Sequence, residues 1–262
     1  MNPRPSTVLV AGATGSIGRH AVAEALRQGY AVRALVRDRA RAARILPDGV
    51  ELVVGDLTRP ETLEPATAGV DAIVFTHGST TNERDVRDND YAGVANVLRA
   101  LGGRRVQIAL MTAVGTTRPG VAYAQWKLRS ERLVRASGNP YTIVLPGWFD
   151  YNQHDQRTIV MLQGDRRQSG TPADGVIARD QIARVLIESL HIDAADHKTF
   201  ELVAEHGPEQ TDLTPVFGAL LPDSSESLDA VEDAVDLPVT SEPETFRHDL
   251  ATISAGNRGA GV

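Results

Sequence analysis

Tyr123 and Lys127 stand four residues apart in the chain, one turn of a helix, so their side chains point the same way. An ammonium beside a phenol stabilises the phenolate, which suits a tyrosine to give or take the proton of a carbinol oxygen. The spacing alone is common on helices and gains its force from position. Far upstream, Thr7-Val8-Leu9-Val10-Ala11-Gly12-Ala13-Thr14-Gly15-Ser16-Ile17-Gly18-Arg19 is an apolar run that breaks into three glycines and re-emerges with a helical pattern. That is a strand, a tight turn and a helix start. Gly12 allows the turn, Gly15 lets the backbone approach a pyrophosphate, and Gly18 lets the helix pack on the strand. Free N–H groups at the helix start favour phosphate, so Gly12, Thr14, Gly15, Ser16, Ile17 and Gly18 are the expected phosphate-binding residues.

A dinucleotide also needs contacts at its adenosine and nicotinamide ends. Residues 31–36 read as a second strand, followed by Arg37, with Arg39, Arg41 and Arg44 behind it. Here an acidic residue would take the ribose hydroxyls of NAD, whereas an arginine offers a planar fork to the 2′-phosphate of NADP. Arg37 therefore indicates NADP (NADPH) rather than NAD, unless it merely decorates a solvated helix. Residues 50–54 form a third strand ending in Gly55-Asp56-Leu57, where Asp56 could accept from the adenine amino group or cap a helix. Residues 71–76 form a fourth strand running into Thr76-His77-Gly78 at the carboxyl edge of the sheet. His77 is a candidate acid or base, although a histidine in such a place is more often structural.

The elements that must position these groups alternate regularly. Helices are expected at 17–28, 85–101, from Tyr123 onward, and where residues 175–183 lead into one ending near Leu190, with further strands at 105–111 and 198–204. Strand and helix in alternation mean parallel strands joined by right-handed crossovers, a doubly wound α/β sheet. Residues 213–221 and 228–235 read as short helices, and 254–262 as a frayed tail. Composition agrees with one globular body. The 262 residues are 42% hydrophobic and 23% charged, and no apolar run approaches a membrane span. Without cysteine there are no disulfides, thiolate metal sites or cysteine nucleophile, and no metal site is expected. The start, Met1-Asn2-Pro3-Arg4-Pro5, lacks the apolar core of a signal peptide, so a cytoplasmic location is expected. The net charge of −7 is concentrated in residues 222–246, which hold eight acids and no Lys or Arg. The near-neutral remainder gives no footprint for nucleic acid, and the acidic stretch reads as a solvated surface.

Gly12, Gly15 and Gly18, the Gly55-Asp56-Leu57 turn, Tyr123 with Lys127, and Tyr141-Thr142-Ile143-Val144-Leu145-Pro146-Gly147 together resemble the short-chain dehydrogenase/reductase superfamily. More narrowly they resemble its atypical NAD(P)H-binding, NmrA-like and epimerase-like branch, over residues 6–205. The resemblance implies a Rossmann core at 1–147, a small C-terminal α+β substrate lobe at 148–253 sharing one core with it, and a tail at 254–262. It further implies Tyr123 as acid/base, with Lys127 bridging the tyrosine and the nicotinamide ribose. Family enzymes hold the substrate oxygen with a serine or threonine after strand five; here Thr112 is the first choice and Thr116 the second, with Ala113 standing in one plausible register. Trp148, Phe149 and Tyr151 are expected to line an apolar pocket, with His154, Gln163, Asp165 and Arg166 as polar candidates nearby. The expected activity is NADP-dependent hydride transfer to or from a small organic carbonyl, alcohol or quinone, in a monomer or homodimer. A non-catalytic NADP-binding sensor and a nucleotide-sugar epimerase are the alternatives.

Overall fold

The structure is a computed structural model that describes residues 6–79 and 82–259. Met1–Pro5 and residues 260–262 therefore lie outside the described residues. Strands β1 (Thr7–Ala11), β2 (Ala31–Val36), β3 (Glu51–Val54), β4 (Ala72–Phe75), β5 (Gln107–Met111) and β6 (Tyr141–Pro146) are all parallel. They belong to an eight-stranded sheet in the order β3-β2-β1-β4-β5-β6-β10-β8, where β10 is Lys198–Glu205 and β8 is Thr158–Leu162. Only β8 runs antiparallel, against β10. Two-residue strands β7 (Trp148–Phe149) and β9 (Val176–Ile177) pair separately beside Gly147. The doubly wound Rossmann sheet expected from the sequence is thus present, and β8 and β10, both beyond residue 148, extend that same sheet.

Both faces of the sheet's central strands are buried, which is why β1, β4, β5 and β6 read as continuous apolar runs, whereas the edge strands β3 and β8 are partly exposed. Side chains alternate between two cores. Val8, Val10, Ala34, Val74 and Val144 face helices α1 (Gly18–Arg27) and α7 (Arg179–Glu188). Leu9, Leu35, Ile73, Ile108 and Ile143 face α5 (Ala92–Ala100), α6 (Ala122–Ala136) and the carboxyl-terminal helix α9 (Glu244–Gly259). That last helix runs into the stretch read as a frayed tail. The short helices α2 (Arg39–Ala42), α3 (Glu64–Thr67) and α8 (Thr214–Gly218) join these layers.

Two segments differ from expectation in ways that matter. The helix expected over 85–101 begins at α4 (Glu83–Asp85), continues as a π-helical turn over Val86–Tyr91 and becomes α-helical again in α5. A π turn shifts the angular position of everything that follows it, and such turns recur at functional sites. The second difference is the acidic stretch. Glu226, Glu232, Asp236 and Glu244 are exposed, as a solvated surface requires, but Asp223 and Glu242 are buried, and residues 228–235 are not helical. They form a strap over a row of buried arginines on α6. Arg132 donates to Asp229 at 2.6 Å and to Glu242 at 2.7 Å, Arg129 donates to Glu242 at 2.7 Å, and Arg135 reaches Asp223 at 3.4 Å. The carbonyls of Leu228 and Leu237 accept from Arg135 and Arg132, at 3.1 and 3.0 Å, so the backbone is drawn to the guanidinium groups instead of into helical bonds.

Removing one partner of a buried ion pair leaves an uncompensated charge and costs about 3–5 kcal/mol. Glu242→Ala strips the shared acceptor from Arg129 and Arg132, and urea denaturation should show a loss of that size. A loss below about 1 kcal/mol would mean that the strap does not hold the carboxyl-terminal half in place.

Candidate functional site

The turn after β1 makes a cradle by close backbone contact. Gly12 has φ +86°, and a Cβ there would lie 2.6 Å from the His77 backbone nitrogen. A Cβ on Gly18 would lie 2.1 Å from the Gly12 carbonyl oxygen. These two glycines therefore fix the turn, whereas Gly15 is exposed to the cleft and accepts only slight crowding, 3.0 Å from the same oxygen. A cleft of about 430 Å³ opens at the carboxyl ends of β1, β2 and β4, where the strand order reverses. Gly12, Thr14, Gly15, Ser16, Arg37, Asp56, Leu57, Thr76, His77 and Gly78 all line it, as does Asn89 from the π turn. Ile17 is buried in the core and Gly18 beneath the turn, so these two shape the cradle from behind.

Arg37 is exposed at one end of the cleft, and among the described residues no hydrogen bond or ion pair engages it. Asp56 accepts from the Thr58 amide at 2.9 Å and its hydroxyl at 2.8 Å. Burial opposes its charge, but these bonds, with the charges of Arg37 and Arg59, hold its carboxyl below the usual range. These bonds close a local turn, and the helical turn Pro60–Thr62 that follows begins at Arg59 without a side-chain cap, so Asp56 caps no helix. The His77 ring packs edge-on to Phe75 with both nitrogens buried, and burial pushes its pKa down, keeping it neutral. What His77 offers the cleft is backbone.

Beyond Gly78 lies a second cavity of about 410 Å³, lined by Tyr123, Lys127, Trp148 and Phe149 among others. A Cβ on Gly78 would stand 3.6 Å from Lys127 Nζ, so the ammonium sits where cleft and cavity meet. Lys127 is buried and forms an ion pair with Asp90, which the π turn brings in. Asp90 also accepts from the Ser79 amide at 3.0 and 3.1 Å. Tyr123 is 42% exposed at the cavity mouth. Tyr151 is mostly outside, edge-on to Trp148 at 5.8 Å.

The threonines after β5 do not join them. Thr112 is buried and donates to Glu131 at 2.8 Å; burial pushes that carboxyl up to about 7, against the charge of Arg135. Asp165 takes the Gly115 amide at 2.6 Å and the Thr117 amide at 2.8 Å. The loop is wound around this carboxylate, and Thr116 is buried with it. Neither Thr112 nor Thr116 lines the cavity: the Thr112 hydroxyl is engaged by Glu131 and the Thr116 hydroxyl is buried away from it. Among the other candidates, Gln163 bonds the Thr199 and Leu221 carbonyls and Arg166 pairs with Glu232. Arg118, Arg167 and Gln168 line the cavity instead.

Comparison with known proteins agrees with this geometry. A family model described as NAD(P)H-binding matches residues 12–193. The chain belongs to this family. Within the NAD(P)H-binding family it is similar to the photosystem II assembly factor Ycf39 of Cyanophora paradoxa, 29% identical over 212 residues. That match covers 79% of this chain and 66% of the relative, so the chain spans just under two thirds of its length. Sanguinarine reductase of Eschscholzia californica is 26% identical, covering 75% of this chain and 88% of the relative. Among solved structures, a putative NAD-dependent epimerase/dehydratase from Bacillus halodurans matches with TM-score 0.69 and 24% identity, covering 82% of this chain and 100% of that one. The anaerobilin reductase ChuY of Escherichia coli O157:H7 shares the fold, with TM-score 0.60, 19% identity and coverage of 75% and 96%. Family membership means a nicotinamide cofactor, and a cradle that tolerates no Cβ at Gly12 or Gly18 fits its pyrophosphate. Among the described residues, no helix is long and apolar enough to cross a membrane.

Asp90, Asn89, Arg118, Arg167 and Gln168 escaped the sequence reading. The short Asn89-Asp90 pair before the helical pattern resumes was the available signal. Gly12→Ala combines a positive φ with a 2.6 Å clash and should destabilise the protein by about 1–3 kcal/mol while abolishing dinucleotide binding. Thermal denaturation with and without NADPH reads both effects; a wild-type cofactor-induced shift in the variant would refute the cradle.

Proposed function

We propose that the chain is an NADP-dependent oxidoreductase acting on a small organic carbonyl, alcohol or quinone, with Tyr123 as acid/base. The observation that carries this reading is the placement of Lys127 between the dinucleotide cleft and the Tyr123 cavity. Bound NADPH would supply the hydride. The glycine turn would hold the pyrophosphate, and Arg37 would take the 2′-phosphate. Lys127 has three donor hydrogens; with one on Asp90, others remain for a ribose hydroxyl and for the Tyr123 oxygen. In reduction, Tyr123 would give its proton to the carbonyl oxygen as the carbon receives hydride, and would regain a proton from solvent through its open mouth. The reading keeps the small-molecule substrate, the cytoplasmic location and the monomer or homodimer expected from the sequence, without nucleic-acid or membrane partners.

A second reading, an NADP-binding regulator or assembly protein without turnover, is favoured by one observation. No threonine hydroxyl of the loop after β5 reaches the cavity. The name of the Ycf39 relatives points the same way.

Arg37→Ala should weaken NADPH binding by about 1–3 kcal/mol, as for a lost hydrogen bond to a charged group, and leave NADH binding unchanged. Fluorescence titration decides it, and equal affinities of the wild type for the two cofactors would place Arg37 on the solvated surface. Tyr123→Phe should lower turnover by about 10²–10⁴-fold with cofactor affinity nearly constant, measured as NADPH consumption against quinones, aldehydes and ketones. Undiminished activity removes Tyr123 from the proton transfer. A wild type silent across the panel supports the regulator.

A further inference from the structure

Two arginines, Arg118 and Arg167, face the Tyr123 cavity, and neither forms an ion pair among the described residues. Arg118 lies exposed on the loop after β5, and among the described residues no hydrogen bond or ion pair holds its guanidinium. It leans toward the neighbouring loop, where a Cβ on Gly170 would be 3.4 Å from its Nη1. Arg167 reaches in from that loop and donates to the Asp174 carbonyl at 3.3 Å. The Asp174 carboxylate, which lines the same cavity, accepts from the Ser169 and Gly170 amides at 2.7 Å each and makes no ion pair with Arg167. Glu201, whose charge reaches Arg167, is pushed upward by burial and by Asp165. Lys127, the third cation, is matched by Asp90.

The cavity thus carries the unpaired guanidinium of Arg118 and that of Arg167, which lies within electrostatic reach of Glu201 but in no ion pair, beside an apolar wall that includes Val114, Trp148 and Phe149. Guanidinium forks match carboxylates bidentately, and indole and phenyl faces favour flat rings. A volume of about 410 Å³ is in the range of small-molecule sites. We propose that this cavity takes a flat aromatic or conjugated carbonyl compound bearing a carboxylate. The carboxylate lies on Arg118 and Arg167, and the ring lies against Trp148 with its carbonyl toward Tyr123. The proposal rests on reading the cavity as the substrate site of an NADP-dependent oxidoreductase, but it concerns binding and is testable without turnover.

Calorimetric titration of the full chain, in the presence of NADP⁺, compares 2-naphthoate with neutral 2-naphthamide. The acid should bind more tightly than the amide. Arg118→Ala should weaken naphthoate about tenfold or more, as for a lost charge-assisted hydrogen bond, and leave naphthamide unchanged. Trp148→Ala should weaken both, with circular dichroism confirming the fold. Arg167→Gln gives a second readout in the same direction as Arg118→Ala. Equal affinity of the wild type for acid and amide, no binding of either, or naphthoate affinity unmoved in both arginine variants would overturn the proposal. Selective naphthoate binding in a protein that oxidises no NADPH would uphold this site and sink only the oxidoreductase reading.

Discussion

A protonated amine cannot be taken from water into a protein interior without a counter-charge, since the uncompensated cost is several kcal/mol. Lys127 is buried at the junction of cleft and cavity, and Asp90 supplies the charge. Much follows from that requirement. Asp90 must turn inward, and the π turn over Val86–Tyr91 is the backbone device that carries it. Its oxygens also hold the Ser79 amide, so the chain leaving β4 is pinned to the helix that carries Tyr123. One ion pair thus registers α6, the π turn and the end of β4 against each other. A dinucleotide lying along the cleft would meet the second cavity at this junction.

The same physics governs the rest of α6. Tyr123, Lys127, Glu131 and Arg135 recur every four residues and share one face, running from an open cavity into the interior. Each step inward adds a partner: Asp90 for Lys127, Thr112 for Glu131, Thr199 and Asp223 for Arg135. Arg129 and Arg132 lie outside this face and are closed over by Glu242 and Asp229. A helix carrying this much charge would be soluble and exposed in isolation. It is buried here because the strap returns from the far end of the chain with matching carboxylates.

This division explains what was legible in the sequence. The strands β1, β4, β5 and β6 were readable because they are buried on both faces, and a two-sided core leaves an unbroken apolar run. The glycine turn was readable because its three glycines stand in one short stretch between an apolar run and a helical pattern, and Gly18 is required by contact with the Gly12 carbonyl six residues before it, although the contact that requires Gly12 is made with His77 from the end of β4. Asp90 was not, because a π turn breaks the helical period and assigns Asp90 to a different face from the one regular spacing gives. The strap was not, because Asp229 meets Arg132 across 97 residues of sequence and its composition, read locally, is that of an exposed surface. Thr112 was misplaced for the same reason. Its position after β5 is a local fact, whereas the carboxylate that claims it lies on α6.

The winding of the loop after β5 around Asp165 bears on the chemistry most directly. With the Gly115 and Thr117 amides donating to Asp165, the threonine side chains follow the backbone inward and leave Tyr123 as the hydroxyl at the cavity. A positioned general acid contributes about 10²–10⁴-fold, and a second donor to the developing oxyanion about 10²–10³-fold more. A simple ketone reduced here would lack that second factor, because hydride addition places the full charge on one oxygen. In a conjugated carbonyl or quinone the charge spreads over the ring system, so one donor meets more of the demand. The apolar wall that includes Trp148 and Phe149 is suited to such a ring, so on the proposed reading the geometry that would weaken the site for an isolated carbonyl would favour a conjugated one.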